Sequence, residues 1–227
     1  ADQLWVVNDK DGYIAAYALP LKPGVNTPTA GHLIDYRRMD PVRTALLSGH
    51  LSPEKAAEMA KRLKFEGAAP AGEDGMLILE AISRSVWRCP EPQKGCPELR
   101  PVDTSAANDA MDKLLPEADT YMSLEGLAAH GDRVWVGSRG YMPKGKDGDA
   151  YRPWPVVGLA EGALAWDGAP QQRAGKDYGL GAILADAEGF WLAFSHERET
   201  DGRKSGVAGL LARASVDANG MPGAPTQ

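Results

Sequence analysis

Two glutamates set the chemical question in this chain. Glu66 and Glu125 each stand directly before a glycine, in Phe65-Glu66-Gly67-Ala68-Ala69 and Leu124-Glu125-Gly126-Leu127-Ala128. Carboxylates brought face to face repel unless a cation or a shared proton intervenes. A hard cation such as calcium fits that demand, since it takes roughly six to eight oxygen ligands. On this reading Glu66 and Glu125 hold a calcium ion, and Asn8, Asp9, Glu80 and Asp186, at neighbouring places in the repeat, complete the set with water. A plainer reading stands beside it: a glutamate at a strand start can simply accept backbone amide hydrogens at a junction.

A second group of residues reads as a binding rim. Ser138-Arg139-Gly140-Tyr141 follows an outgoing strand, where the planar fork of Arg139 can clamp a carboxylate or a phosphate. Arg84 and His196 follow the corresponding strands of the preceding and the last copy, and Asn8 follows the strand that opens the chain. The alternative is that these are solvated loop charges. The four histidines, His32, His50, His130 and His196, form no pair at metal spacing. There is no Gly-x-Ser-x-Gly elbow, and Gly179-Leu180-Gly181 lacks the following helix that a dinucleotide or phosphate loop needs.

The elements that position these residues recur. After each Glu-Gly strand comes a Gly/Asp turn and a second apolar strand, Met76-Leu77-Ile78-Leu79 and then Val134-Trp135-Val136. A third copy, worn at its start, runs Gly179-Leu180-Gly181-Ala182-Ile183 and then Gly189-Phe190-Trp191-Leu192-Ala193. The chain opens on the second half alone, Leu4-Trp5-Val6-Val7. Recurrence of a β unit about every 56 to 59 residues predicts an all-β, β-propeller-like repeat of four-stranded blades, four or more of them or an incomplete ring, as one domain over 1–227. Trp5, Trp135 and Trp191 share a repeat position and read as blade-packing residues. Ser52 as N-cap and Pro53 at the first helical position predict a helical insertion at 52–64. A second helix is expected at 106–115, before Pro116, and an exposed loop at 137–151. A Gly/Pro tail ends the chain.

Composition removes several classes of function. A net charge of −6 and a pI near 5.3 offer no basic surface to displace counterions, which argues against a nucleic-acid partner. No apolar run reaches the length of a membrane span. The only two cysteines, Cys89 and Cys96, are separated by six residues rich in Pro and Gly. That segment can fold back to close a disulfide, which favours a periplasmic or secreted protein.

The phrases Leu124-Glu125-Gly126-Leu127-Ala128 and Val134-Trp135-Val136-Gly137-Ser138-Arg139-Gly140 resemble the Glu-Gly-Leu-Ala and Gly-x-Arg-Gly pattern of the DUF3616 family. They are more loosely similar to the phytase-like esterase and SdiA-regulated propellers. The resemblance extends over about residues 60 to 215 and implies an exported propeller. Enzymes among these relatives hold calcium with channel carboxylates, a role that by similarity falls on Glu66 and Glu125; the third copy lacks the glutamate. The expectation is therefore an exported propeller that binds a small anionic or ester-containing ligand at its channel, with calcium-dependent ester or phosphoester hydrolysis as one outcome. The alternative is a recognition module that presents one face to a protein or glycan partner.

Overall fold

The computed structural model describes residues 3–7, 13–18, 33–38, 64–72, 75–81, 84–92, 100–114, 120–143, 154–168, 171–173, 176–200 and 203–226. Asn8, Asp9, Cys96, the expected helix at 52–64 and the loop tip at 144–151 lie outside these residues, apart from Lys64. Two compact units divide the chain, 1–102 and 103–227.

The first unit holds two sheets. Strands β1 (Gln3–Val7), β2 (Tyr13–Ala18) and β3 (Leu33–Arg38) form a three-stranded antiparallel sheet in chain order. Strands β4 (Phe65–Pro70), β5 (Met76–Glu80), β6 (Ser85–Cys89) and β7 (Arg100–Val102) make a four-stranded sheet, again antiparallel and in chain order. Every residue of β5 is buried. Its unbroken run of Met, Leu and Ile suits a strand covered on both faces, whereas an alternating pattern would leave one face to water. Trp87 on β6 is buried too, and its indole N–H donates to Ser85 Oγ at 2.8 Å.

The second unit opens with helix α1 (Ser105–Leu114), the helix expected at 106–115. Asp103 caps it by accepting from both Ser105 N and Ser105 Oγ, at 3.0 and 2.7 Å. Those bonds, the hydroxyl's first, hold the Asp103 carboxyl below its ordinary range. Ala107 and Met111, four apart on one helical face, are the helix's buried residues. Two further antiparallel sheets follow. One runs β8 (Thr120–His130), β9 (Arg133–Pro143), β10 (Trp154–Gly158), β11 (Leu164–Gly168). The other runs β12 (Gln171–Arg173), β13 (Lys176–Asp186), β14 (Gly189–Thr200), β15 (Arg203–Ser215).

These last two sheets pack face to face, and glycines make the contact close. Gly126 and Gly137 are cross-strand partners on β8 and β9. A methyl group on Gly126 would lie 2.8 Å from Ile183 Cγ1, and one on Gly137 would lie 2.5 Å from Ile183 Cδ1 and 2.7 Å from Leu180 Cδ2. No carbon pair tolerates such distances, so the paired glycines form a hollow that seats two branched side chains of β13. Beside it Phe190 meets Trp135 and Trp166 edge-on, with ring centroids 6.3 and 5.9 Å apart. Each such pair adds about 1 kcal/mol to what burial alone contributes.

One expectation is corrected within this unit. Trp191 does not pack as Trp135 does: Trp135 is fully buried, while Trp191 is 43 % exposed, because the fourth sheet's core contact is made by the opposite face, through Phe190 and Leu192. The Gly/Pro tail is ordered. It turns back through the Asp217 carboxylate, which accepts from Asn219 N and Met221 N, and then pairs Thr226 with Arg213 on the edge of β15. On the way Gly223 O accepts the indole N–H of Trp166 at 2.8 Å. Pairing an open strand edge removes a template for aggregation.

Candidate functional site

The repeated phrase has one geometric meaning in all three copies. On β4 the pairing with β5 skips Glu66: Phe65 faces Glu80 and Gly67 faces Leu79. On β8 it skips Glu125, between Leu124 opposite Ser138 and Gly126 opposite Gly137. On β13 it skips Gly181, between Leu180 opposite Phe194 and Ala182 opposite Ala193. Each copy thus carries a β-bulge at the same point, and the extra residue is Glu, Glu, Gly. A bulge bends the strand and re-aims the side chain it adds, which is why such positions recur beside binding sites.

At Glu125 the bulge aims the carboxylate at a cation. Arg139 Nη2 donates to Glu125 Oε2 at 3.1 Å, with the side chains 17 % and 5 % exposed. A second irregularity of the same hairpin, between Met122 and Leu124, gives β9 an extra residue beside Arg139. The two distortions flank Leu124 and Ser138 and bring the acid and the base together. Ser138, between them on β9, is fully buried. At Glu66 the arrangement is local: Lys64, two residues earlier on the same chain segment, forms an ion pair with it. In the third copy the place of Arg139 is taken by Ser195, whose Oγ would lie 3.2 Å from a methyl group on Gly181.

The supporting carboxylates have structural employment. Glu80 is fully buried and accepts from Lys64 N at 3.0 Å, so it performs the strand-start capping that the plainer reading assigned to the Glu before Gly. Asp186 receives a two-pronged bond from Arg213, at 2.6 and 2.8 Å, a bond from the Trp191 indole at 3.0 Å, and the amide of Glu188 at 2.9 Å. The Arg213 guanidinium also lies over the Trp191 ring, 4.5 Å from its centroid. Hydrogen bonds from Arg213 first, then from the Glu188 amide, hold the Asp186 carboxyl far below the usual carboxylate range.

The expected rim is not a set of matching strand ends. Arg139 and His196 lie within β9 and β14, which run on past them to Pro143 and Thr200, because the hairpins are longer than their apolar cores. His196 pairs with Ala208 in the backbone register, and its side chain lies outside the described set. Arg84 sits in the tight turn between β5 and β6 with φ 53°, a left-handed turn position rather than an equivalent of Arg139. Cys89 is fully buried on β6, and the described residues hold no free cysteine.

One feature of the site region was not foreseen. A cleft of about 520 Å³ opens between the β8–β9 turn, the β13–β14 turn and the tail, lined by His130, Arg133, Glu188, Asp217 and Asn219 among others. His130 Nδ1 is 2.9 Å from the Asp186 carbonyl oxygen, and Arg133 reaches Met221 Sδ at 2.9 Å. Neither Glu125 nor Arg139 lines it. The turn cluster Asp217-Ala218-Asn219-Gly220 is the signal that could have marked it, since it is what folds the tail over the hairpin ends.

No protein-family model and no curated protein matches this chain. Among the described residues no three His, Cys, Asp or Glu side chains gather as a metal site would need, and no helix is long and apolar enough to cross a membrane. A calcium ion at Glu125 would stand beside the Arg139 guanidinium, like charge against like. The donor set there does not fit that ion unless Arg139 withdraws, and no catalytic step through calcium follows from this geometry.

Proposed function

We propose that this chain is an exported, propeller-like stack of blade sheets that recognises a small anionic ligand, a carboxylate or phosphate, at the Arg139 bulge. Its resemblance to the DUF3616 family belongs to the same proposal, as does closure of Cys89 on Cys96 by a disulfide. The observation that carries the functional part is the Arg139–Glu125 contact at 3.1 Å, set in a bulge that two further sheets repeat. An arginine held by a buried carboxylate has its planar fork fixed before ligand arrives, and less ordering entropy then opposes binding. The pair supports recognition rather than hydrolysis.

Thermal-shift titration with inorganic phosphate and acetate tests it. Binding to the folded state alone raises the melting temperature, so wild type shifts upward and Arg139→Gln does not. A calcium-dependent shift abolished by Glu125→Gln would instead restore the metal reading.

A second reading rests on the cleft. Carboxylates, an amide and a histidine around about 520 Å³ suit the hydroxyl groups of a glycan, and its size matches ligand pockets in general. Loss of glycan binding in Asp217→Ala with Arg139→Gln unaffected would select it.

A further inference from the structure

One sulfur sits where the tail turns back. Both backbone groups of Met221 are engaged in that turn: its N–H donates to the Asp217 carboxylate and its carbonyl accepts from Asp217 N, each at 2.9 Å. Its side chain is partly buried against the apolar cluster of the last two sheets, and Arg133 Nη1 on β9 donates to its Sδ at 2.9 Å. The contacts that close the tail over the sheet follow directly. Gly223 N donates to Ser215 O at 2.8 Å, Gly223 O accepts from the Trp166 indole, and Thr226 pairs with Arg213.

We propose that Met221 is an oxidation site for peroxides and that its sulfoxide releases the tail. A sulfur lone pair attacks one oxygen of hydrogen peroxide, and the S–O bond forms as the O–O bond breaks. The departing hydroxide takes the proton of the transferred oxygen and leaves as water; sulfur gives up two electrons and the peroxide accepts them. Access selects this sulfur over Met76 and Met111, which are 5 % and 1 % exposed. The cleft lined by Arg133 and Gly220 brings a molecule of that size within reach.

The contact with Arg133 suits a thioether. A thioether is a weak acceptor with a lone pair to offer, and a donor at 2.9 Å leaves no room for an oxygen between them. In the sulfoxide the S–O dipole leaves sulfur positive against a guanidinium, and a polar group stands where apolar neighbours pack. Arg133 keeps a partner when the two separate, because Glu161 Oε1 lies 3.8 Å from the same Nη1. The oxidised side chain therefore swings out and the turn loosens. Gly223 then leaves the Trp166 indole and Thr226 leaves β15, while the cleft widens on the side formed by Asp217 to Gly220. None of this depends on the anion site at Arg139.

Peptide mass mapping and tryptophan emission of the full chain under hydrogen peroxide test it. Met221 should gain oxygen at least about tenfold faster than Met76 or Met111. Emission should move to the red in step with that oxygen, and the methionine sulfoxide reductases should restore it. Met221→Leu, a volume-conserving replacement without the sulfur, should begin with wild-type emission and keep it under peroxide. Met221→Gln, polar at the same place, should show the red-shifted emission with no oxidant present. Oxygen uptake at Met221 no faster than at the buried methionines, an unmoved emission from the oxidised protein, or an equal shift in Met221→Leu overturns the proposal.

Discussion

Arg139 on β9 donates to Glu125 across 3.1 Å, and Glu125 is the residue that the β8–β9 register leaves out. The pair is more than a surface ion pair, since the acid is 5 % exposed. Removing one member of a buried pair strands the other charge and costs about 3 kcal/mol, while removing both can be nearly neutral. Glu125→Ala and Arg139→Ala should therefore each destabilise the fold by about that amount. The double variant should lose less than the sum, a coupling that urea unfolding of all four proteins measures.

The hollow at Gly126 and Gly137 predicts a size-reversal experiment. Gly126→Ala forces its new methyl group against Ile183, a strain of about 1 to 3 kcal/mol by the usual cost of overpacking. Trimming the opposing side chain with Ile183→Val should return a minor part of that loss, because it removes Cδ1, 3.2 Å from the new methyl, and keeps Cγ1 at 2.8 Å. Melting temperatures of the two single variants and the double variant decide it; purely additive losses would contradict the packing account.

Asp186 gives the pH dependence. Its folded-state carboxyl is held far below the ordinary range, chiefly by Arg213. A depressed carboxyl contributes its full stabilisation above the unfolded value, near pH 4, and loses it as pH falls from there toward the folded value. Wild type should thus lose melting temperature below about pH 4 more steeply than Asp186→Asn, while above pH 5 the variant is the less stable of the two. The group is exposed, so the difference should be small and should shrink further in salt.

Deleting residues 222–227 removes the Thr226 pairing with Arg213 and the Gly223 acceptor of the Trp166 indole. The truncated protein should show red-shifted tryptophan emission and a faster onset of aggregation, since the edge of β15 is uncovered.

Much of this architecture was legible in the sequence. Alternating turns and apolar runs gave the hairpins, their order within each sheet and the helix at α1, because period-2 patterning and capping chemistry are local. The glutamates were also legible as special, but for a reason that spacing cannot express. Glu66 and Glu125 mark bulges, and a bulge depends on which residue the partner strand omits. The partners Lys64 and Arg139 were hidden for the same cause: Arg139 reads as a loop residue until the register shows β9 continuing past it. Trp191 misled because its repeat position matches Trp135 while the two sheets bury opposite faces. The course of the tail was not legible, because its Gly and Pro content does not show that the Asp217 carboxylate turns it back by accepting from two amides.

Isothermal titration of inorganic phosphate into wild type, Arg139→Lys and Arg139→Gln puts the central claim to its most direct test. The account predicts saturable binding by wild type, weaker by about tenfold in Arg139→Lys, which keeps the charge but loses the fork, and absent in Arg139→Gln. Equal affinity in all three, with each variant folded, would show that the bulge-held arginine is no receptor and that Glu125 and Arg139 serve only the sheet.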